Sequence, residues 1–329
     1  MPLVDTHGRL HDNLRISVTD RCNIRCFYCM PEDATDFGPR EEILSFEEIE
    51  RFVRIAAGMG VRKIRITGGE PLLRKQLPDL VARLIAVPGI QDLALTTNAV
   101  LLKQQAQSLY DAGLRRLNVH LDTLDRERFR EITRRDVFDR VIEGLMHARD
   151  VGFGPIKINA VAVKDLVEPD IVPMARFGRE HGFEIRYIEF MPLDSQGLWD
   201  RGRVLLGDDI LKIITREIGP LEAIPDADPR APATEFRYLD GGGRIGIVAS
   251  VSKPFCLNCN RLRLTADGKV RNCLFALEEM DVRALLRENG SDAAIAEVIA
   301  ANVKAKWIGH RIGATQFVPP PRPMYAIGG

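Results

Sequence analysis

Leu14-Arg15-Ile16-Ser17-Val18-Thr19 runs into Asp20-Arg21-Cys22-Asn23-Ile24-Arg25-Cys26-Phe27-Tyr28-Cys29, and this stretch decides how the chain folds. Leu14, Ile16 and Val18 alternate with Arg15, Ser17 and Thr19, the period of a strand with one apolar face. Three cysteines follow in the loop just after it, spaced C-x3-C-x2-C. Working outward, similar strand patterns recur at 63–67, 93–97, 117–122, 156–163 and 185–191. Amphipathic helices fit between them. The clearest opens at Ser45, an N-cap with Glu48 three residues on, and runs through Ile49, Phe52, Val53 and Ala56 until Gly58 and Gly60 end it. Others cover 76–87, 103–111, 136–150, 169–182 and 208–218. Strands alternating with helices predict βαβ units and a parallel sheet.

Strand parity says what the sheet encloses. In a βα barrel the outward face of each strand packs on helices, so the apolar residues Ile64, Ile66, Leu93, Leu95, Ile156 and Ile158 point outward. The other parity then places Arg15, Ser17, Thr19, Arg65, Thr67, Thr96, Asn98, Asn118, His120, Asp122, Lys157 and Asn159 inside. A full eight-stranded barrel fills its interior with branched apolar side chains. A cationic lumen is no packed core, because unpaired buried charge costs too much. The alternative is an open sheet with one wet face, but intervening helices favour parallel strands covered outside. The expected fold is therefore α/β: an incomplete (β/α)6 TIM-like barrel, its lumen a ligand chamber, with a C-terminal α+β extension covering the open side.

That extension begins near Pro220. Pro225, Pro229 and Pro232 punctuate a loop, and Asp240-Gly241-Gly242-Gly243 reads as the turn of a hairpin. A second hairpin turns at Ala266-Asp267-Gly268-Lys269. Helical stretches at 282–288 and 292–305 follow. The tail, from Val318 to Gly329, is too proline-rich to be helix. The domains are read as 1–219 and 220–329.

Composition narrows the function classes. The 329 residues are 45% hydrophobic and 28% charged, with 46 basic and 46 acidic residues. That balance steers the chain toward neither nucleic acid nor an anionic membrane, so any polyanion site must be local. No apolar run approaches the roughly 18 residues of a membrane span, and the N-terminus lacks a secretory pattern, so the expected compartment is cytoplasmic. A reducing compartment argues against three disulfides. All six cysteines fall in two tight groups, Cys22/Cys26/Cys29 and Cys256/Cys259/Cys273, which points to metal binding.

Three thiolates in the first loop suit a 4Fe–4S cluster better than structural zinc, which normally takes four protein ligands. One iron is then left open as a reaction site. The loop, with Tyr28 before its last cysteine, resembles the radical S-adenosylmethionine superfamily. Thr67-Gly68-Gly69-Glu70-Pro71 after the second strand strengthens the resemblance, because that superfamily carries a Gly-Gly-Glu-Pro segment there. In the second group the turn at Asp267-Gly268 returns Cys273 close to Cys259. Three thiols meet again, which reads as a second 4Fe–4S cluster with another open iron; zinc completed by histidine or asparagine stays open. Arg261 and Arg263 point the same way beside it, away from Leu262 and Leu264, and suit an anion or a nucleobase.

With Phe255-Cys256-Leu257-Asn258-Cys259-Asn260-Arg261-Leu262-Arg263 and the terminal Gly328-Gly329, the resemblance narrows to the GTP-cyclising branch of molybdenum-cofactor biosynthesis. It implies a lyase with two 4Fe–4S clusters and S-adenosylmethionine. That enzyme would convert GTP to (8S)-3′,8-cyclo-7,8-dihydroguanosine 5′-triphosphate by abstracting hydrogen from C3′ and joining C3′ to C8. It implies contacts to S-adenosylmethionine from Tyr28, Gly69, His120 and Met191, although the family commonly has serine at the position of His120. It implies contacts to GTP from Arg15, Arg65, Thr96, Lys157, Arg261 and Arg263, with Arg15, Arg261 and Arg263 catalytic. It further implies an electron donor of flavodoxin or ferredoxin type and cyclic pyranopterin monophosphate synthase downstream, and it leaves a homodimer open. Gly328-Gly329, lacking side chains, is expected to reach into the active site. The competing readings are a radical enzyme acting on a peptide and a non-catalytic zinc-binding scaffold.

Overall fold

The computed structural model describes residues 2–33, 37–194, 196–225, 228–288, 290–314 and 317–329. Six strands lie side by side in chain order, all parallel: β1 (Asn13–Ser17), β2 (Lys63–Thr67), β3 (Asp92–Thr97), β4 (Arg116–His120), β5 (Lys157–Ala162) and β6 (Glu184–Glu189). Helices fill the crossovers: α1 (Phe46–Gly58), α2 (Leu77–Ala86), α3 (Leu102–Asp111), then α4 (Arg126–Thr133) with α5 (Phe138–Val151), and α6 (Ile171–His181). α7 (Gly207–Glu217) follows β6. This is the incomplete α/β barrel that the alternation predicts.

Local chemistry explains the elements. Ser45 and Glu48 form the reciprocal capping box at the start of α1, each side chain accepting the other's backbone N–H at 3.2 and 2.6 Å. α4 has no counterpart among the expected helices. It buries only Phe129, Ile132 and Thr133, too few apolar positions to print a period. The outward row of the strands is continuous across the register: Leu14 lies beside Ile64, Ile64 beside Leu93, and Val119 beside Ile158. Leu14, Ile64, Val119 and Ile158 are at most 2% exposed, each contributing about 1.5–3 kcal/mol by burial.

The C-terminal third does not build a sheet of its own. β7 (Leu221–Ala223), β8 (Thr234–Tyr238) and β9 (Arg244–Val248) form an antiparallel meander whose β9 runs parallel to β6. β10 (Arg261–Leu264), β11 (Lys269–Arg271) and β12 (Met280–Asp281) add to the opposite edge, where β10 runs parallel to β1. The result is one twelve-stranded sheet ordered β12-β11-β10-β1-β2-β3-β4-β5-β6-β9-β8-β7. α8 (Arg283–Arg287) and α9 (Asp292–Lys304) follow. The tail corrects an expectation: α10 (Met324–Ile327) is a short helix. Its prolines stop at Pro323, the N-cap, where a missing N–H does no harm. No helix among the described residues is long and apolar enough to cross a membrane.

The N-terminal residues lock this arrangement. The Asp5 carboxylate accepts hydrogen bonds from Arg9 Nε at 2.6 Å and His11 Nε2 at 3.0 Å, all three groups being buried. Burial acts to raise the Asp5 carboxyl, but the bonds from His11 and Arg9 hold it well below the usual range. The Arg9 guanidinium in turn donates to the carbonyls of Cys256, Trp307 and Ile308 at 2.6–2.9 Å. Burial, followed by the Lys306 cation, brings the His11 imidazole down to about 4. The unfolded chain therefore binds a proton between pH 6.5 and 4 that the folded chain refuses, so stability falls as pH falls through that window, by up to about 3 kcal/mol. His11→Gln, which keeps a donor without titrating, should flatten the fall in Tm between pH 7 and 4.5 relative to the parent chain. Parallel curves for the two would refute this role.

Candidate active site

The first cysteine loop is held from two sides. Arg25 and Phe27 donate backbone N–H groups to the carbonyls of Thr133 and Ile132 at the end of α4. On the other side, Gly69 N–H bonds the Thr19 carbonyl and Glu70 N–H the Arg21 carbonyl, both at 2.7 Å. The two loops pass so close that a Cβ on Gly69 would stand 2.3 Å from the Arg21 carbonyl oxygen, and one on Gly68 2.7 Å from that of Thr19. The glycines are required by the protein itself, before any ligand arrives. Gly69→Ala should cost at least about 2 kcal/mol by overpacking and lower the iron taken up by the first loop. Iron content and Tm after reconstitution check this; wild-type values in both would refute it.

Glu70 ties this segment to β3. Its buried carboxylate accepts Thr97 Oγ1 and Asn98 N–H at 2.7 Å and Leu72 N–H at 3.0 Å, while burial pushes its carboxyl up to about 7. Tyr28 Oη donates to Asp122 at 2.5 Å and lies 2.8 Å from His120 Nε2, which is 3.7 Å from Cys26 Sγ. Burial raises the Cys22 thiol to about 11, Cys29 to about 12 and Cys26 well above its ordinary value. Bare, this triplet resists ionisation; a cationic iron centre supplies the charge that thiolates need.

In the second triplet burial again raises the Cys256 thiol, but Cys259 goes the opposite way. Cys259 Sγ receives Arg261 Nε at 3.3 Å, Arg261 Nη2 at 3.4 Å and Lys306 Nζ at 3.3 Å. Burial raises this thiol, but the Arg261 and Lys306 cations overcome it and bring it down to about 6. Cys273 Sγ accepts the Phe275 N–H at 3.4 Å, and Arg9 fixes the Cys256 carbonyl. All six cysteines are free thiols. Among the described residues no three His, Cys, Asp or Glu side chains suit a single metal ion; an iron–sulfur cluster, being larger, spreads its thiolates further apart.

Between the triplets stands a row of cations. The register puts Arg263 beside Arg15 and Arg15 beside Arg65, across β10, β1 and β2. Burial and then the Arg263 and Arg65 charges lower Arg15 well below the usual guanidinium range, and burial and then the Arg261 charge bring Arg263 to about 9. Burial, followed by the Arg186 and Arg116 charges, takes Arg65 to about 10. Among the described residues, Arg15 Nε is buried without a hydrogen-bond partner. Like charges so placed favour a bound polyanion. The tail closes on this row: Gly328 O accepts from Arg263 Nη1, and Gly329 O accepts Thr67 Oγ1 at 2.9 Å.

One cavity unites these parts. Its volume is about 300 Å³, at the lower end of the roughly 300–1,000 Å³ of a small-molecule site. All six cysteines line it, as do Tyr28, Gly69, His120, Met191, Arg15, Arg65, Thr96, Arg261 and Arg263. Lys157 is not among its lining residues. Its Nζ is engaged by Glu184 and Glu235, each at 3.2 Å. Asn118 and Asp122, also expected in the lumen, are buried without lining it, and Asp122 instead supports Tyr28. Sequence reasoning missed Arg186, which lines the cavity and pairs with Glu184 and Glu235 at 2.5 and 2.6 Å. The parity rule applied to β6, with Ile185 and Tyr187 outward, would have found it. It also missed Arg9 and Lys306, for which no local signal exists.

The barrel, the cysteine loop and the glycine segment define a radical S-adenosylmethionine protein: residues 16–178 match the model of the Radical SAM superfamily, and 183–312 match that described as Molybdenum Cofactor Synthesis C. A 4Fe–4S cluster and S-adenosylmethionine go with that class. The GTP 3′,8-cyclase of Rhodopirellula baltica is 49% identical over 99% of this chain and 92% of its own length. That of Mycobacterium sp. strain KMS is 46% identical over 100% and 94%. The chain belongs to the GTP 3′,8-cyclase family. Among solved structures, Streptococcus suis SuiB bound to precursor peptide SuiA superposes with a TM-score of 0.61 at 17% identity, over 90% of this chain and 68% of that one. At that identity the likeness concerns the fold alone.

Proposed function

We infer that this chain converts GTP to (8S)-3′,8-cyclo-7,8-dihydroguanosine 5′-triphosphate, the first step of molybdopterin cofactor biosynthesis, as a radical S-adenosylmethionine lyase. The observation that carries the reading is the row Arg263-Arg15-Arg65, which lies in one cavity with both cysteine triplets. Cys22, Cys26 and Cys29 would hold the first 4Fe–4S cluster, with Tyr28, Gly69, His120 and Met191 around S-adenosylmethionine. When bound, that cluster supplies the electron that cleaves S-adenosylmethionine to a 5′-deoxyadenosyl radical able to take hydrogen from C3′ of the ribose. Cys256, Cys259 and Cys273 would hold a second 4Fe–4S cluster. Arg15, Arg65, Arg261 and Arg263 would bind the triphosphate and base, with Arg15, Arg261 and Arg263 acting at the reacting nucleotide. Thr96 adds a hydroxyl to the same wall, and Lys157 would join by leaving Glu184 and Glu235. These residues contribute placement: C3′ must meet the adenosyl carbon, and C8 must then lie within reach of C3′. An electron donor of flavodoxin or ferredoxin type and a cyclic pyranopterin monophosphate synthase downstream complete the proposal.

The test is anaerobic mass spectrometry of reconstituted, reduced protein with S-adenosylmethionine, with and without GTP. GTP-dependent 5′-deoxyadenosine together with a GTP isomer that has lost its H3′ bond establishes the reaction. Cleavage indifferent to GTP, with no new nucleotide, would remove GTP as the substrate. Iron analysis separates the other readings: about eight irons per chain support two 4Fe–4S clusters, and bound zinc without iron supports a scaffold.

A further inference from the structure

Lys306 lies two residues beyond α9 and is only 4% exposed. A buried ammonium is costly unless something anionic faces it. Among the described residues no carboxylate is paired with Lys306. Its Nζ instead donates to Cys259 Sγ at 3.3 Å and to the Arg261 carbonyl at 2.8 Å. The sulfur is therefore the counter-charge of this lysine. Among the described residues no lysine or arginine donates to a sulfur of the first triplet: Cys22 Sγ meets the neutral Asn98 amide and Cys26 Sγ the His120 ring, each at 3.7 Å.

We propose that Lys306 is a positioning residue for the second cluster, donating through its ammonium to the ligand sulfur of Cys259, stabilising the reduced cluster and anchoring the strand that carries Arg261. This rests on the reading that Cys256, Cys259 and Cys273 hold a 4Fe–4S cluster. One-electron reduction adds one negative charge to the cluster, and a cation hydrogen-bonded to a ligand sulfur in a buried site favours that state, so it raises the reduction potential. The effect is confined to the second cluster, because Lys306 donates to no sulfur of the first. By holding the Arg261 carbonyl, the same ammonium sets where the Arg261 guanidinium stands relative to Cys259.

The experiment uses the full chain carrying Cys22→Ser, Cys26→Ser and Cys29→Ser, so that only the second cluster is observed, reconstituted anaerobically and titrated with dithionite under electron paramagnetic resonance. Iron is counted first: about four irons in this background uphold the cluster reading, and none overturns that reading rather than the role of Lys306. Lys306→Met should move the midpoint to more negative potential, Lys306→Gln should move it less, and Lys306→Arg should restore it. An unchanged midpoint in Lys306→Met with full iron overturns the proposal. Should Met and Gln both lose the iron while Arg retains it, the requirement is for the charge and the proposal stands. Loss of iron in Lys306→Arg as well overturns it.

Discussion

Arg263→Ala leaves the iron content of the reconstituted chain unchanged but lowers the yield of cyclised nucleotide per 5′-deoxyadenosine by about a hundredfold. The size follows from removing one charge-assisted contact to an anionic substrate in a buried site, worth roughly 1.5–3 kcal/mol, where about 1.4 kcal/mol is tenfold. Arg263 is 3% exposed and also donates to Gly328 O, so the change loosens the tail together with the substrate. It should not destabilise the chain. Arg15, its neighbour in the register, is lowered first by burial and then by the Arg263 charge, so removing that charge relieves a repulsion and the Tm of the substrate-free protein should hold or rise. Nucleotide and 5′-deoxyadenosine measured in the same mixture, with Tm alongside, check both halves. Arg261→Ala should act in the same direction. Unchanged product from the Arg261→Ala/Arg263→Ala double variant would remove the nucleotide role of this pair.

Truncation before Gly328 abolishes turnover while both cysteine triplets still take up iron. The tail ends inside the cavity wall, its last two carbonyls accepting from Arg263 and Thr67. Position 328 has φ +77, and a Cβ there would lie 2.9 Å from Ser17 Cβ and 3.1 Å from Thr67 Cγ2. A side chain would therefore crowd Ser17 of β1 and the Thr67 methyl of β2 and also incur a backbone strain of about 1–2 kcal/mol. Gly328→Val should expel the tail and cost product formation as severely as the truncation does. Residual activity near the parent level in the truncated chain would show that the tail has no part in the reaction.

Much of the molecule was legible because it is written in local periods. Two-residue alternation placed all six barrel strands to within two residues, and the capping box at Ser45 marked the start of α1. The turn chemistry at Asp240–Gly243 and Ala266–Lys269 marked both C-terminal hairpins. Parity put Arg15, Arg65, Thr96 and His120 on the cavity wall, since a strand's side chains have only two directions to choose from. α4 was missed for the converse reason, as its polar face hides the few residues that pack.

Lys157 shows where parity stops. It fixes the side of the sheet but not the partner, and Glu235 arrives on β8, a strand beyond the barrel. The spacing of the cysteines, the alternating strands and the Gly-Gly-Glu-Pro segment were determined by the sequence alone, because each depends on neighbours a few residues apart. Pairing of β10 with β1, the clamp of Arg9 on Cys256 across 247 residues, the approach of Lys306 to Cys259 and the entry of Gly328 and Gly329 were decided only by the tertiary structure. Those contacts form where distant segments bury surface and satisfy each other's donors and acceptors, and no local period encodes which segments will meet.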